Sequence, residues 1–329
     1  MSRLDRIKRA AGSACVFSLS GPSFTEREER FYRETCPAGV IFFRRNVETV
    51  ASLESLCGEL RRIESLRIVS IDEEGGRVRR LPTGDYSLPS AKLLAALSDD
   101  EFSDKVRALG RELKRIGITM DMAPVVDLRS GEDASIVGDR AFSDDPEEVS
   151  RHALRYLSAL RDEGVFGVIK HFPGHGATTI DSHKELPRIE RSLNDLAATD
   201  LLPYRRLAGA ARFVMVAHII VPDADPLFPA SLSRQWMRIL RRDMGFDGIV
   251  MTDDIEMHAL DNWSPEEKAA LFLASESDLL LICSGKEDIM RAHWEALVRA
   301  AEADDTILAR LEHLRERLEG EFFAIGAGR

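Results

Sequence analysis

Short apolar runs, many of them β-branched, recur along the chain and alternate with amphipathic stretches of helical spacing. The runs that we interpret as strands cover residues 15–17, 39–43, 67–71, 118–126, 165–169, 213–216, 248–251 and 279–283. Strands alternating with helices are typical of an α/β protein with a parallel sheet, and eight such repeats are the number that closes a barrel. The sequence therefore predicts a single (β/α)8 TIM-type barrel.

The clearest helix signal follows residue 144. Asp145 is a candidate N-cap, Pro146 suits the first helical turn, and Glu148 stands where it would complete a capping box. Apolar residues then follow at helical spacing, at Val149, Ala153, Leu157 and Leu160. We expect a helix that begins at this point and packs one face on the barrel.

One domain spanning residues 1–329 is predicted, because the alternation continues without a Pro/Gly/Ser-rich linker, a shift in composition or a low-complexity tract. A doubly wound open sheet is the competing architecture. That fold usually carries a glycine-rich phosphate loop after its first strand, and the sequence SLSGP at residues 18–22 does not supply one.

The net charge of the chain limits the kinds of molecule that it is expected to bind. The formal net charge is -11 and the sequence pI is about 5.4. Nucleic acid and anionic membranes require a cationic surface, so neither is expected as the main partner. No segment approaches the roughly 20 apolar residues that a membrane-spanning helix requires. A small neutral ligand is compatible with this composition.

The cysteines and the N-terminus indicate a reducing, cytoplasmic location. Cys15, Cys36, Cys57 and Cys283 show no CxxC or zinc-type spacing, so we interpret them as buried free thiols. The first 21 residues begin basic and then turn apolar, like a secretion signal. Their apolar part is too short and too rich in Gly and Ser for that role, and we assign it to the first strand.

Polar side chains stand at the end of one predicted strand after another. The residues concerned are 72–77 after the third strand, Asp127 after the fourth, Lys170 and His171 after the fifth, His218 by the sixth, and Asp253 and Asp254 after the seventh. The loops that follow the strands of a barrel converge at one end of it. The sequence therefore predicts that these side chains line a common pocket.

The chain resembles a known family over nearly its whole length. The matching segments are residues 39–43 with Arg45 and Asn46, 72–80, 123–127, 138–142, KHFPGHGATTIDSH at 170–183, and 252–254. They resemble glycoside hydrolase family 3, and specifically its single-domain β-N-acetylglucosaminidase branch. The resemblance implies a carbohydrate-cleaving barrel that needs no cofactor and no metal.

The catalytic residues implied by this resemblance are a carboxylate and an imidazole. Retaining hydrolysis requires a nucleophile and an acid that protonates the leaving oxygen. The resemblance assigns these roles to Asp253 and His183, with Asp181 supporting the imidazole, which titrates near neutral pH. In the alternative interpretation Asp253 caps the following helix, a role we expect for Asp254, and Asp181 and His183 lie on an ordinary surface loop.

The substrate-binding residues implied by the resemblance surround the sugar ring. Asp72 would accept hydrogen bonds from sugar hydroxyls, and Lys170 and His171 would donate to them. Arg80 and Arg140 would serve as further ligands of the ring or of its acetamido group. On its own, Arg80 would be assigned to a solvated surface, because Arg77 and Arg79 are close to it in the sequence.

The remaining histidines are interpreted individually. His175 stands four residues after His171, a zinc spacing on a helix, but the intervening Pro173 and Gly174 oppose a helix, so we expect it to hold its loop by hydrogen bonding. His218 would either face the ligand or satisfy a buried carbonyl. His258 is left without a role. Exposed positions are predicted for His152, His293 and His313.

Departures from the family pattern are Glu73 in place of glutamine, Asp139 in place of glutamate, and Ala177 and Thr178 where an acidic residue often follows. They leave substrate preference open. The leading hypothesis is an exo-acting enzyme, a cytoplasmic monomer, that releases N-acetylglucosamine from muropeptides or similar glycosides. The alternatives are a phosphorylase, a β-glucosidase or β-xylosidase on the same scaffold, and a catalytically silent sugar-binding barrel.

Overall fold

Eight parallel strands close on themselves into a barrel in a computed structural model that describes residues 2–129, 136–176 and 186–326. Each strand pairs with its neighbours in sequence, and the first pairs with the last. The strands are β1 Cys15–Ser18, β2 Gly39–Phe42, β3 Ile68–Ile71, β4 Met120–Asp121, β5 Phe166–Phe172, β6 Phe213–Val216, β7 Ile249–Asp254 and β8 Leu279–Ile282. The predicted (β/α)8 TIM-type barrel is confirmed.

One helix precedes β1, and the other helices follow the strands and complete the outer layer. The helices are α1 Arg3–Gly12, α2 Glu26–Thr35, α3 Val50–Leu60, α4 Ala91–Leu94, α5 Asp99–Ile116, α6 Pro146–Asp162, α7 Leu193–Ala198, α8 Leu202–Leu207, α9 Arg234–Arg238, α10 Pro265–Ser275, α11 Glu287–Ala303 and α12 Asp305–Ala324. A π-helical turn, Ile239–Asp243, follows α9. No helix in these described ranges is long and apolar enough to cross a membrane.

The start of α6 shows how local sequence sets an element boundary. Asp145 is the N-cap, its side chain accepts the N–H of Glu147, and Pro146 occupies the first turn, as predicted. The predicted capping box is wrong. The Asp145 N–H donates to Ser143 Oγ instead, and Glu148 forms an ion pair with Arg151. The predicted apolar face is buried at Val149, Ala153, Leu157 and Leu160.

Two strands differ in length from the prediction. The fourth strand, expected over residues 118–126, is only two residues long by regular pairing, although Val126 still donates its N–H to the Lys170 carbonyl. Pro124 has no N–H to contribute to a continuous ladder. The fifth strand extends to Phe172, so Lys170 and His171 belong to the strand itself. The Lys170–His171, Ala123–Pro124 and Phe172–Pro173 peptide bonds are cis.

The core lies inside the barrel and between the barrel and its helices. Phe322 of α12 packs edge-on against Phe166 at the start of β5 and lies beside Phe213 at the start of β6. This cluster covers the amino end of these two strands with apolar side chains. Three of the free cysteines, Cys15, Cys57 and Cys283, are buried as predicted, and Cys36 is partly exposed.

Candidate active site

Polar side chains from three strands meet at the carboxyl end of the barrel. Asp72 directly follows β3. Lys170 and His171 lie near the carboxyl end of β5, and Asp253 and Asp254 end β7. Because all the strands are parallel, these ends lie on the same side of the barrel. The contacts between them follow from this arrangement.

Lys170 is the central cation of the site. Its Nζ lies 2.8 Å from Asp72 Oδ1 and 2.7 Å from Glu74 Oε1, and the residue is 2% exposed. Burial alone would lower the pKa of Lys170, but the charges of Asp72 and Glu74 outweigh it and the pKa is raised. The ammonium therefore stays charged and joins two carboxylates of the loop after β3.

Arg140 and Glu74 form a bidentate ion pair beside Lys170. Arg140 Nε and Nη2 donate to the two carboxylate oxygens of Glu74, both over 2.8 Å. Although burial opposes ionisation, the cations of Lys170 and Arg140 hold the pKa of Glu74 well below its usual range. Two parallel N–H···O bonds fix the guanidinium plane; the Glu74 side chain is buried and that of Arg140 is partly exposed.

His171 is oriented by Asp127, which follows β4. His171 Nδ1 lies 2.7 Å from Asp127 Oδ2, and the main-chain N–H groups of His171 and His175 donate to Asp127 Oδ1 over 3.2 and 2.7 Å. Burial opposes ionisation, but the neighbouring His171 lowers the pKa of Asp127. The carboxylate selects the tautomer with the proton on Nδ1, which leaves Nε2 facing Arg140 Nη2 at 3.5 Å.

Asp253 is a partly exposed carboxylate at the end of β7. Its Oδ1 accepts the N–H of Asp254 over 2.8 Å. Desolvation by the surrounding protein would raise its pKa, but His171, His218 and Lys170 favour the charged form, and the pKa of Asp253 is lowered. The structure thus brings an ionised carboxylate on a rigid strand into the field of Lys170 and His171.

Asp254 and His218 are structural. Asp254 Oδ1 accepts the N–H groups of Glu256 and Cys283, and burial, with the charge of Glu256, raises its pKa to about 7. The expected helix-cap role of Asp254 is wrong, because Ser264 caps the helix that follows. His218 is fully buried, with Nδ1 2.6 Å from Ser231 Oγ and Nε2 2.8 Å from the Asp254 carbonyl, so it satisfies a buried carbonyl.

Arg80 reaches the site from the far end of the loop after β3. Its Nη2 lies 3.3 Å from Asp72 Oδ2, and its guanidinium lies over the Phe43 ring, 5.8 Å from the centroid. Within the described residues, Arg80 Nε has no hydrogen-bond partner. Asp72 thus holds a different cation on each oxygen, Lys170 on Oδ1 and Arg80 on Oδ2.

The loop turns sharply at Gly75 and Gly76, which both have positive φ angles, 93° and 54°. A Cβ atom on Gly75 would lie 2.4 Å from the Pro89 carbonyl oxygen. Glycine is needed here both for the left-handed backbone and for the close approach of the neighbouring chain. The turn leaves Glu74 directed at Lys170 and Arg140 while the chain returns towards Arg80.

Two of the predicted catalytic residues, Asp181 and His183, lie outside the described residues. Residues 177–185, which follow His175 and Gly176, contain both of them. The described chain resumes at Leu186, and Ile189 then pairs with Ile220 through its N–H. The sequence places the pair a short distance along the chain from Lys170 and His171, and their roles stay predictions.

The other histidines correct the sequence interpretation. His152 and His293 are buried, at 3% and 2% exposure, where exposed positions were predicted. His152 packs against the rings of Phe102 and Phe142, which also pack against each other, and burial lowers its pKa. The predictions failed because a neutral imidazole fits an apolar helix face as an aromatic ring does. His313 and His258 are exposed and lie beside Glu316 and Asp261.

No three His, Cys, Asp or Glu side chains of the described ranges are grouped so as to hold a metal ion. The described groups instead alternate in charge: the carboxylates of Asp72 and Glu74 hold the cations of Lys170, Arg80 and Arg140. Fixed donors beside fixed acceptors suit a ligand with many hydroxyl groups. A separate ionised carboxylate, Asp253, is available for attack on an electrophilic carbon.

Comparison with known proteins identifies the family. Residues 19–318 match the description "Glycosyl hydrolase family 3 N terminal domain". The chain belongs to glycosyl hydrolase family 3. It is therefore a glycoside hydrolase, and the family resemblance read from its motifs is confirmed.

Relatives within family 3 are named for hexosamine chemistry. A beta-hexosaminidase of Pseudomonas aeruginosa is 34% identical over 280 residues, 82% of each chain. The structure of a family 3 β-N-acetylglucosaminidase from Paenibacillus sp. superposes with a TM-score of 0.90 at 31% identity, over 98% of this chain and 63% of that one. NagZ from Neisseria gonorrhoeae, solved with N-trifluoroacetyl-D-glucosamine, gives 0.76 at 29% identity, over 93% and 98%.

Sequence reasoning had assigned no role to several residues that organise this family 3 site. Glu74 joins Lys170 to Arg140, and Asp127 orients His171. Asp127 was predicted to lie at the end of the fourth strand, and this position is the sequence feature that points to a place in the site. Glu74 lay in a run of three acids, and the sequence alone does not tell which of them faces the pocket.

Proposed function

We propose that this protein is a retaining exo-β-N-acetylglucosaminidase in which Asp253 is the nucleophile and His183 the acid and base, supported by Asp181. The observation that carries the proposal is Asp253 itself. Its carboxylate sits on a strand end, its pKa is lowered, and Lys170 and His171 lie in its field. A nucleophilic carboxylate has to be ionised and held by rigid backbone.

The proposed reaction has two displacements at the anomeric carbon. Asp253 forms a bond to that carbon while the glycosidic bond breaks and the leaving oxygen takes a proton from His183. A water molecule, losing its proton to His183, then attacks the same carbon and releases Asp253 as a carboxylate. An imidazole can carry out both proton transfers near neutral pH, and Asp181 would favour its charged form.

The proposed sugar-binding residues are Asp72, Arg80, Arg140, Lys170 and His171. Their ion pairs and hydrogen bonds support this assignment, since each cation is already held by a carboxylate and is thereby oriented before a ligand arrives. Preorganised donors lose little conformational entropy on binding.

The proposed substrates are β-linked N-acetylglucosaminides, such as muropeptide fragments of the cell wall, and the proposed location is the cytoplasm. The names of the Pseudomonas and Neisseria relatives support the hexosamine preference. We test the proposal with an aryl N-acetyl-β-glucosaminide and the matching aryl β-glucoside under identical conditions. Faster hydrolysis of the acetamido substrate is expected, and equal or reversed rates would contradict the proposed specificity.

Hydrolysis and phosphorolysis are separated by the same assay. Product formation is measured in phosphate buffer and in a buffer without a nucleophile, at the same pH and ionic strength. The proposal expects equal rates and free N-acetylglucosamine in both. A sugar 1-phosphate formed only in phosphate would identify the protein as a phosphorylase.

A further inference from the structure

The three consecutive acids after β3 face different surroundings. Asp72 and Glu74 both reach Lys170. Glu73, between them, is 1% exposed, and its Oε2 accepts the main-chain N–H groups of Arg80 and Leu81 over 2.7 and 2.9 Å. A single carboxylate oxygen thus joins the beginning of this loop to its end.

Asp121, at the end of β4, fixes Glu73 in turn. Asp121 Oδ1 accepts the N–H of Glu73 over 2.9 Å, and its Oδ2 accepts the hydroxyl of Tyr156 from α6 over 3.0 Å. Asp121 is fully buried. The three groups form a continuous series of hydrogen bonds from the outer helix layer, through β4, to the loop that carries Arg80.

Arg80 depends on this series for its place. Its main-chain N–H is held by Glu73, and its side chain then spans back to Asp72, where Nη2 lies 3.3 Å from Oδ2. Asp72 is itself the residue before Glu73. Two contacts therefore close residues 73–80 into a loop: the Glu73 carboxylate accepts the Arg80 main-chain N–H, and the Arg80 side chain pairs with Asp72.

We propose that Glu73 and Asp121 are positioning residues that hold Arg80, and through it the Asp72 carboxylate, in the arrangement that binds the sugar. The inference rests on the proposed function for the nature of the ligand. Neither residue touches the reacting atoms. Their effect is expected in substrate affinity, because Arg80 and Asp72 are assigned to binding and the nucleophile is on another strand.

The positioning depends on an acceptor oxygen and not on a negative charge. A carboxylate, a carboxylic acid and a carboxamide all offer an oxygen with two lone pairs to main-chain N–H groups. Glu73→Gln preserves the size of the side chain and one such oxygen. Glu73→Ala removes the acceptor and leaves the N–H groups of Arg80 and Leu81 without it.

The kinetic test compares Glu73→Ala with Glu73→Gln on an aryl N-acetyl-β-glucosaminide. We expect Glu73→Ala to raise KM about ten- to hundredfold, because two main-chain hydrogen bonds, each contributing up to about a factor of ten, are lost together, while kcat changes little. Glu73→Gln should restore KM to within about threefold of the wild type. A wild-type KM in Glu73→Ala, or an equal loss in both variants, would overturn the proposal.

Glu28→Ala is the matched control. Glu28 is also buried and also accepts two main-chain N–H groups, those of Ser20 and Thr25, but it belongs to α2 and contacts none of the proposed sugar-binding residues. A general loss of stability would affect both alanine variants, whereas loss of positioning would raise KM only in Glu73→Ala. An equal rise in Glu28→Ala would count against the inference.

Glu73→Asp covers the case in which Glu73→Ala fails to fold. It keeps the charge but shortens the side chain by one methylene, which withdraws the acceptor from both N–H groups, so a rise in KM similar to that of Glu73→Ala is expected. Crystal structures of Glu73→Asp and Glu73→Gln give a readout that needs no turnover. Arg80 should move away from Asp72 in Glu73→Asp and remain paired with Asp72 in Glu73→Gln.

Failure of the proposed function can be distinguished from failure of this inference. If the wild-type protein cleaves no glycoside, the proposed function fails, but the two crystal structures still test the positioning role. An unmoved Arg80 in Glu73→Asp would refute that role.

Discussion

The Arg140 guanidinium donates two hydrogen bonds to the Glu74 carboxylate, each 2.8 Å long, in a nearly buried ion pair. Lys170 Nζ approaches the same carboxylate to 2.7 Å. Glu74 therefore compensates two buried cations that belong to different parts of the chain. Arg140 and Lys170 are both proposed to bind the sugar, so the geometry of the pocket depends on an acid that is not itself assigned to the ligand.

Glu74→Ala is expected to destabilise the protein by about 3–5 kcal/mol, because it leaves two buried cations without their shared partner. Urea denaturation at pH 7 measures the free energy of unfolding. The control is Glu54→Ala, which removes an exposed ion pair with Arg115 and should change the free energy of unfolding far less. Similar losses in the two variants would contradict the structural role of Glu74.

Asp121→Asn is expected to change how stability depends on pH. Burial, with the charge of Glu73, raises the pKa of Asp121 from 3.8 to about 7. Between these values the native state keeps the proton that the unfolded state loses, so this residue makes stability fall as pH rises from about 4 to about 7. The effect amounts to roughly 4 kcal/mol at most.

The asparagine variant removes that dependence while keeping an acceptor for the Glu73 N–H. Unfolding free energies of the wild type and Asp121→Asn are compared between pH 5 and pH 8. The variant should gain stability relative to the wild type as pH rises, and the gain should level off above pH 7. A constant difference across this range would show that Asp121 does not carry the raised pKa.

Residue patterns were sufficient to predict the barrel, since eight apolar runs with helices between them leave few other solutions. The lengths of the strands were harder to predict from the sequence. Lys170 and His171 lie inside β5, because β5 continues past its β-branched residues to Phe172. Glu74 could not be distinguished from Glu73 by sequence, since the direction of each side chain is set by the turn at Gly75 and by the cations that β5 and the 138–140 turn bring nearby.

The histidines show a second limit of sequence reasoning. His152 and His293 lie on helices among polar residues, yet both face the core. Helical spacing alone does not decide whether a histidine is buried, because an imidazole can either face solvent as a polar group or pack in the core as an aromatic ring. His218 was left open between two roles, and its bond to the Asp254 carbonyl decides for the structural one. To predict a specific contact of this kind, one must know the register between neighbouring strands, and the sequence alone does not give it.

His183→Ala is expected to affect substrates according to their leaving groups. A phenol of low pKa leaves without protonation, whereas a sugar or alkyl alcohol requires an acid. Rates are measured for a nitrophenyl and an alkyl N-acetyl-β-glucosaminide. The variant should lose far more activity on the alkyl substrate. Equal losses on both would remove His183 from the role of acid, and Asp181→Asn should show the same pattern in weaker form.

Asp253→Ala is expected to retain the fold, because the Asp253 side chain is partly exposed and its Oδ1 accepts a local hydrogen bond from the next residue. Turnover should fall by about four orders of magnitude or more, as for loss of other catalytic nucleophiles. Circular dichroism and thermal unfolding verify the fold, and the nitrophenyl substrate reports turnover. A rate within tenfold of the wild type would exclude Asp253 as the nucleophile.

The most direct measurement traps the covalent intermediate. The protein is incubated with a fluorinated N-acetyl-β-glucosaminide carrying a good leaving group, quenched in acid, digested and mapped by mass spectrometry. We predict one sugar attached to the peptide that contains Asp253, and none in Asp253→Ala. Attachment to another residue, or full turnover without any adduct on that peptide, would contradict the account.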